Sequence, residues 1–312
     1  SQRTSEDMKV DQLEGVTFGS VVTDVSLESL SASEWNELYE LWIDRALLIF
    51  PQAHLTAEGQ DDFAQRFGTL EFSRAPISNI GKDGKVHYEN SDEVVKSLRG
   101  NEGWHHDSTY MPLQAKGAVF SAEIIPSSGA ATGWADMRAA YEDLDDEARA
   151  HVSTLRAYHS LYYSQGRSGY LPDKKNDDGT YGLYGYHNME VSLRPLVKVH
   201  PVTGKPNLII GRHAHDIVGM EKDHSQKFLD ELNDWACQPP RTYHHDWEVG
   251  DAVVWDNRRL QHRGTPFDMT EPRRMWHTRI AGDPSSELAI NHQIDAIPSD
   301  NVERHPTGTW AC

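Results

Sequence analysis

A histidine and an aspartate one residue apart can grip a metal ion. This chain offers that pair twice, in GWHHDSTY (103–110) and TYHHDWEV (242–249). The pairs are His105 with Asp107 and His244 with Asp246. Alternate residues of an extended strand point to one side, so each copy can present an imidazole and a carboxylate together. Two ligands leave a site incomplete, and the best third ligand for the first copy is His262, in WDNRRLQHRG. Two histidines and one carboxylate occupy one face of an octahedron and leave three positions open. That geometry suits Fe(II) handling a chelating co-substrate and dioxygen. Locally the two copies are equivalent, and a chain with seventeen histidines produces such pairs by chance.

The elements that must hold these residues are mostly strands. AVFSAEII (118–125), RPLVKVH (194–200), NLIIG (207–211), RTYHHDWEV (241–249), AVVWDN (252–257) and RMWHTRIAG (274–282) read as strands. The earlier stretch SASEWNELYELWIDRALLIF begins with a capping box, Ser31-x-x-Glu34, and carries Trp35, Leu38, Tyr39 and Trp42 at helical spacing. LLIF (47–50) reads as a short buried strand, and a second helix follows Thr56, buries Phe63 and Phe67, and stops at Gly68. Further helices are expected near 136–155 and 222–236. The polar stretch 70–103 and the Tyr-, Gly-, Asp- and Asn-rich stretch 160–190 read as long loops. Strands without a βαβ rhythm predict an antiparallel sandwich or barrel with helical additions.

Bulk composition narrows the function classes. Thirty basic residues against forty-eight acidic ones give a net charge of −18, which repels nucleic acid and anionic membranes. No apolar run approaches the roughly 18 residues of a membrane span, and the polar N-terminus, SQRTSEDMKVDQLEG, is not a signal peptide. The only cysteines, Cys237 and Cys312, form neither a disulfide framework nor a cysteine zinc site, which fits a reducing cytoplasm. Self-association is left open.

Longer stretches resolve the ambiguity. WHHDSTY, TGWADMRAAYEDL, RPLVKVHPVTGKPNLII, GDAVVWDNRRLQHRG and the closing RR…R-x-AGD together resemble the TauD/TfdA family of Fe(II)- and 2-oxoglutarate-dependent dioxygenases. The resemblance covers about residues 15–283, and DGKV (83–86) and IIGRHAHDIVGM (209–220) lean toward its aryloxyacetate-degrading branch. It implies one domain over 1–312, with a double-stranded β-helix (jelly-roll, cupin-like) core flanked by helices. The stretches 70–103 and 160–190 would serve as lids over a small-molecule substrate.

The family pattern adds a Thr or Ser about 25 residues after the Asp, and an Arg about eleven after the distant His. Thr132 lies 25 residues after Asp107 and Arg273 lies 11 after His262. The resemblance therefore implies that His105, Asp107 and His262 hold Fe(II), and that Arg273 and Thr132 receive the far carboxylate of 2-oxoglutarate. A guanidinium suits that carboxylate as a permanent, bidentate cation. With O2, succinate and CO2 would be released and a small organic acid such as an aryloxyalkanoate hydroxylated.

Arg274 competes with Arg273, but strand parity groups Arg273, Met275, His277 and Arg279 on one face and Arg274 on the other. Where the family places a second, substrate-binding arginine, this chain has His277, which points to a substrate whose acid group sits differently or is lacking. Lys82, Lys85 or Arg279 are the alternative cations. Asn101 and His213 are further substrate-facing candidates, and Trp255 is core or pocket wall.

Other outcomes stay open on the same cofactors: desaturation, epoxidation, or sulfonate or sulfate-ester cleavage. A non-catalytic metal-binding jelly roll has no need of Thr132 and Arg273, and a zinc hydrolase lacks a general base. His244 and Asp246 then read as scaffold.

Overall fold

A computed structural model describes residues 8–293, so Cys312 and the first seven residues of the polar N-terminal stretch lie outside the described residues. Strands dominate, and nearly all pair antiparallel. The largest sheet has seven strands in the spatial order Lys9–Gln12, Ser20–Thr23, Leu47–Phe50, Ala252–Asp256, Gly117–Ile124, Arg274–Ile280 and Leu70–Ser78. Among the described residues, only Ser20–Thr23 and Leu47–Phe50 run parallel.

The continuous apolar run at 47–50 has a simple cause, since this sheet is covered on both faces. Leu48 and Phe50 join Val119, Val254 and Ile280 on the outer face. There the Ala32–Arg45 and Ala57–Gln65 helices lay down Leu38, Trp42 and Phe63, with Phe67 just beyond the second helix. Leu47, Ile49, Phe120, Val253, Trp255 and Met275 take the inner face. Trp42 is fully buried and meets Phe67 edge-on at 4.8 Å. Truncating it to alanine would cost about 3–5 kcal/mol.

The capping box is present, with Ser31 accepting from Glu34 N and the Glu34 carboxylate accepting from Ser31 N. The second helix is capped by Thr56 as expected. It ends at Gln65, three residues before the expected stop, because tight bonds from Phe67 N to Ala64 O and Gly68 N to Gln65 O close its last turn.

A three-stranded sheet of Thr242–His245, Thr132–Asp136 and Leu260–Gly264 faces the inner side of the large sheet, and Trp134 and Leu260 join the same core. Another three-stranded sheet, Ala214–Ile217, Arg156–His159 and Ser192–Pro195, lies beside it. Helices Met137–Asp143 and Lys222–Ala236 pack on a third core with Leu208 and Ile210.

Several expectations need correction. Residues 70–103 are not one loop. Leu70–Ser78 is the edge strand of the large sheet, and Glu93–Gly100 is a helix capped by Asp92. Pro76 and a bulge, where Phe72 to Ala75 oppose only His277 to Arg279, hide the strand's alternation. Within 160–190, Leu161–Ser168 is a helix, capped by Ser160 and closed by Gly169 at φ +84°. The expected 194–200 strand breaks in two at Leu196, whose side chain turns into the third core. The 241–249 strand is only Thr242–His245.

Candidate active site

His262 sits in the middle of the Leu260–Gly264 strand. His105 does not lie in a strand, contrary to the expectation, but forms a single antiparallel bridge with His262. His105 N donates to His262 O at 3.0 Å, and His262 N donates to His105 O at 2.8 Å. This reciprocal pair holds the two rings side by side, with centroids 4.3 Å apart. The backbone of Gly211 passes close by at φ +115°, and a Cβ there would stand 3.2 Å from the Cα of His105. Glycine therefore satisfies both the left-handed backbone and the close approach.

After the bridge the chain turns, and Ser108 adopts φ +56°. Asn257, from the WDN stretch, fixes that turn. Its Oδ1 accepts from Asp107 N at 2.8 Å, and its Nδ2 donates to Asp107 O and Ala115 O. Its carbonyl meets His106 Nδ1 at 2.8 Å, so His106 is turned away from its neighbours.

Among the described residues, His105, Asp107 and His262 form the group whose ligand atoms converge, all within 4.8 Å of one another. Asp107 Oδ1 lies 3.1 Å from His262 Nε2 and 3.8 Å from His105 Nε2. His105 Nδ1 is 2.7 Å from the Gly103 carbonyl, which can only accept. The proton therefore sits on Nδ1, and Nε2 carries a lone pair. That Nε2 and Asp107 Oδ1 are buried without an aligned hydrogen bond. Such atoms are costly to bury unless a ligand completes them, and a divalent ion fits them. Burial by itself would raise the Asp107 pKa, but Arg279, then His262 and His277, overcome it and hold the carboxyl well below its usual range. Burial and the neighbouring His262 push His105 well down, so its ring is neutral, the form that binds metal.

Beside this group opens a pocket of about 610 Å³, its mouth included. His105, His262, Thr132 and Arg273 give it a polar end, and Ile77, Leu98, Phe120, Phe267 and Met269 give it apolar walls. Arg273 is 6% exposed and is held by its backbone. Asn79 Oδ1 accepts from Arg273 N at 2.8 Å, while Asn79 Nδ2 ties down the carbonyls of Met269 and Glu271. Arg274 points the other way, 3.7 Å from Glu123 at the surface. Thr132 Oγ1 accepts the indole N–H of Trp247 at 2.9 Å. A hydroxyl has one proton to give, so this bond leaves the Thr132 proton for the pocket.

The remaining candidates separate clearly. Asn101, His277 and Trp255 line the pocket. His277 stacks on Trp255 with ring centroids 5.8 Å apart. His213 does not line it. It is buried behind His105, with Nδ1 2.7 Å from Ser164 Oγ and its ring edge-on to Tyr110. Lys82 and Lys85 are exposed, and neither lines the pocket. His244 and Asp246 are exposed, and the His244 ring rests against Trp104. His245 bonds Asp251 and the Tyr243 hydroxyl, so the second HHD stretch supports the wall that carries Trp247. Sequence reasoning missed Trp247, Asn257 and the pocket residue Glu102. Only the proximity of WDN to His262 could have flagged Asn257.

Comparisons with known proteins agree with this geometry. The profile of the Taurine catabolism dioxygenase TauD, TfdA family matches residues 9–280. An (S)-phenoxypropionate/alpha-ketoglutarate-dioxygenase of Sphingobium herbicidovorans is 57% identical over 277 residues, which span 88% of this chain and 96% of that protein. An alpha-ketoglutarate-dependent 2,4-dichlorophenoxyacetate dioxygenase of a Burkholderia species is 33% identical, over 85% of this chain and 92% of that one. The crystal structure of AAD-2 in complex with Mn(II) and N-oxalylglycine superposes with a TM-score of 0.82 at 33% identity, covering 91% of this chain and 99% of that one.

Proposed function

We propose, from the premise that the chain belongs to the TauD, TfdA family, that it is an Fe(II)- and 2-oxoglutarate-dependent dioxygenase of aryloxyalkanoic acids. The observation that carries the reading is the junction of two features: three convergent ligand atoms, and a pocket that His105 and His262 line together with Arg273 and Thr132. His105, Asp107 and His262 would hold the iron. Arg273 would pair with the far carboxylate of 2-oxoglutarate, and Thr132, its oxygen already occupied by Trp247, would donate to the same group. When bound, iron, 2-oxoglutarate and O2 together supply the oxidising power to hydroxylate a C–H bond, with release of succinate and CO2.

The protein's own residues exclude water and orient the substrate. Ile77, Leu98, Phe120, Phe267 and Met269 offer an aromatic ring an apolar seat beside the metal end. Hydroxylation of the carbon next to an ether oxygen would release the phenol. Names among the relatives, such as (S)-phenoxypropionate/alpha-ketoglutarate-dioxygenase, support this substrate class. We read the seven-stranded sheet and the Thr132-bearing sheet as the two walls of a double-stranded β-helix, in one domain. No helix among the described residues is long and apolar enough to cross a membrane.

The test is succinate release from a panel of aryloxyalkanoic acids, each enantiomer offered separately, with Fe(II) and 2-oxoglutarate supplied. Turnover is expected with aryloxypropionates. Failure to couple 2-oxoglutarate consumption to any aryloxy acid would refute the substrate assignment.

A further inference from the structure

We infer that Arg279 is a positioning residue that holds one oxygen of Asp107 so that only the other can reach the metal. The inference rests on the iron-site reading above and adds to it the coordination number that the protein enforces.

The two oxygens of Asp107 face different company. Oδ1 looks toward the ligand histidines, 3.1 Å from His262 Nε2 and 3.8 Å from His105 Nε2. Oδ2 looks away from them, 3.4 Å from Arg279 Nη2 and 3.8 Å from His277 Nε2. A carboxylate can grip a cation through one oxygen or both. Two histidines and a carboxylate leave three open positions only if the carboxylate uses one oxygen. A chelating co-substrate and dioxygen need all three. A guanidinium on Oδ2 keeps that oxygen from closing onto the metal.

Arg279 is built into this place. It has no exposed surface, and its guanidinium carbon lies 4.9 Å from the Phe72 ring and 5.4 Å from the Tyr184 ring. Phe72 is its direct partner across the sheet. Tyr184 comes from the irregular stretch after the Leu161–Ser168 helix, and its hydroxyl donates to Glu71. A planar, weakly hydrated cation suits such a slot between rings. Arg279 does not line the pocket, so its place is behind the carboxylate and not on a substrate anion. The stretch that bears Tyr184 thus also secures the metal end.

The experiment uses Mn(II) as the probe metal and measures 2-oxoglutarate binding by calorimetry on wild type, Arg279→Met, Arg279→Lys and Tyr184→Leu, with thermal melts alongside. Arg279→Met is expected to retain one Mn(II) per chain while binding 2-oxoglutarate at least about tenfold more weakly. Arg279→Lys should recover most of the loss. Wild-type affinity for 2-oxoglutarate in Arg279→Met overturns the inference. So does a parallel loss of Mn(II), 2-oxoglutarate and melting temperature that lysine does not rescue, since that marks a purely structural role. If Arg279→Met does not fold, Tyr184→Leu decides: weaker 2-oxoglutarate binding with Mn(II) retained supports the inference, and unchanged binding refutes it. A wild-type protein that binds no Mn(II) instead refutes the iron-site reading itself.

Discussion

Replacing Trp247 by phenylalanine removes one N–H group and tests how the pocket aims Thr132. The indole proton is given to Thr132 Oγ1 at 2.9 Å in a buried setting. A neutral bond of this kind contributes about 1 kcal/mol, which corresponds to roughly fivefold in affinity at 1.4 kcal/mol per decade. The expected result is therefore an approximately fivefold weaker 2-oxoglutarate affinity, because the Thr132 hydroxyl becomes free to turn its proton away. The smaller ring also loses contact with Phe120 and His245, at a cost of roughly 0.5–3 kcal/mol in fold stability. A melt and a binding isotherm keep the two effects apart.

Thr132→Val deletes a donor to a charged carboxylate, worth about 1.5–3 kcal/mol, and should weaken binding about ten- to a hundredfold. The decisive measurement is the double-mutant cycle on Mn(II)-loaded protein. If Trp247 acts through the hydroxyl, its substitution has no further effect on 2-oxoglutarate affinity once Thr132 is valine. Equal weakening by Trp247→Phe in both backgrounds would refute the reasoning.

Arg273→Leu should raise the 2-oxoglutarate requirement by about two orders of magnitude or more, since a buried charge pair is lost. Arg274→Ala, whose partner Glu123 is at the surface, should leave it within about twofold; initial rates against 2-oxoglutarate check both. His105→Ala should abolish stoichiometric Mn(II) binding, whereas His244→Ala should retain it, as read by metal analysis after gel filtration. Asp136 and Asp256 are fully buried against Arg259 and Arg258, and despite burial these partners hold both carboxyls below their usual range. A depressed folded pKa gives stability that is complete above the unfolded value of about 4 and lost as pH falls through the folded one. The melting temperature should therefore drop steeply below about pH 4. Asp256→Asn should lower it already at neutral pH, by leaving Arg258 and His200 without their carboxylate.

How much was legible in the sequence depended on what constrained each residue. His105, Asp107, His262, Thr132 and Arg273 could be singled out in the sequence because ligand chemistry restricts both residue type and spacing, and the structure brings all five to one region. The inner and outer faces of the Arg274–Ile280 strand followed from parity alone, and Arg274 and Trp276 do turn outward to Glu123. Trp247, Asn257 and Arg279 were not placed beside their partners, because each approaches a residue more than a hundred positions away through pairing that no local pattern records. The Leu70–Ser78 strand was lost to its proline and bulge. His213 was a candidate for the pocket, yet it lies against His105 and outside the lining. Arg279, an alternative cation for a substrate anion, does not line the pocket and lies 3.4 Å from Asp107.

The backbone bridge between His105 and His262 has a consequence for biosynthesis. Chains emerge from the ribosome N-terminus first, at about 5–20 residues per second. The HHD motif therefore emerges well before the strand that must pair with it. Until Leu260–Gly264 docks against Thr132–Asp136, His105 lacks the partner that fixes its backbone, and Asp107 lacks Asn257. A nascent or truncated chain ending before Asn257 carries two of the three ligands but no assembled site. Assembly of the three-residue site is thereby deferred until the Leu260–Gly264 strand has emerged, and a released fragment should not compete with the protein for the metal.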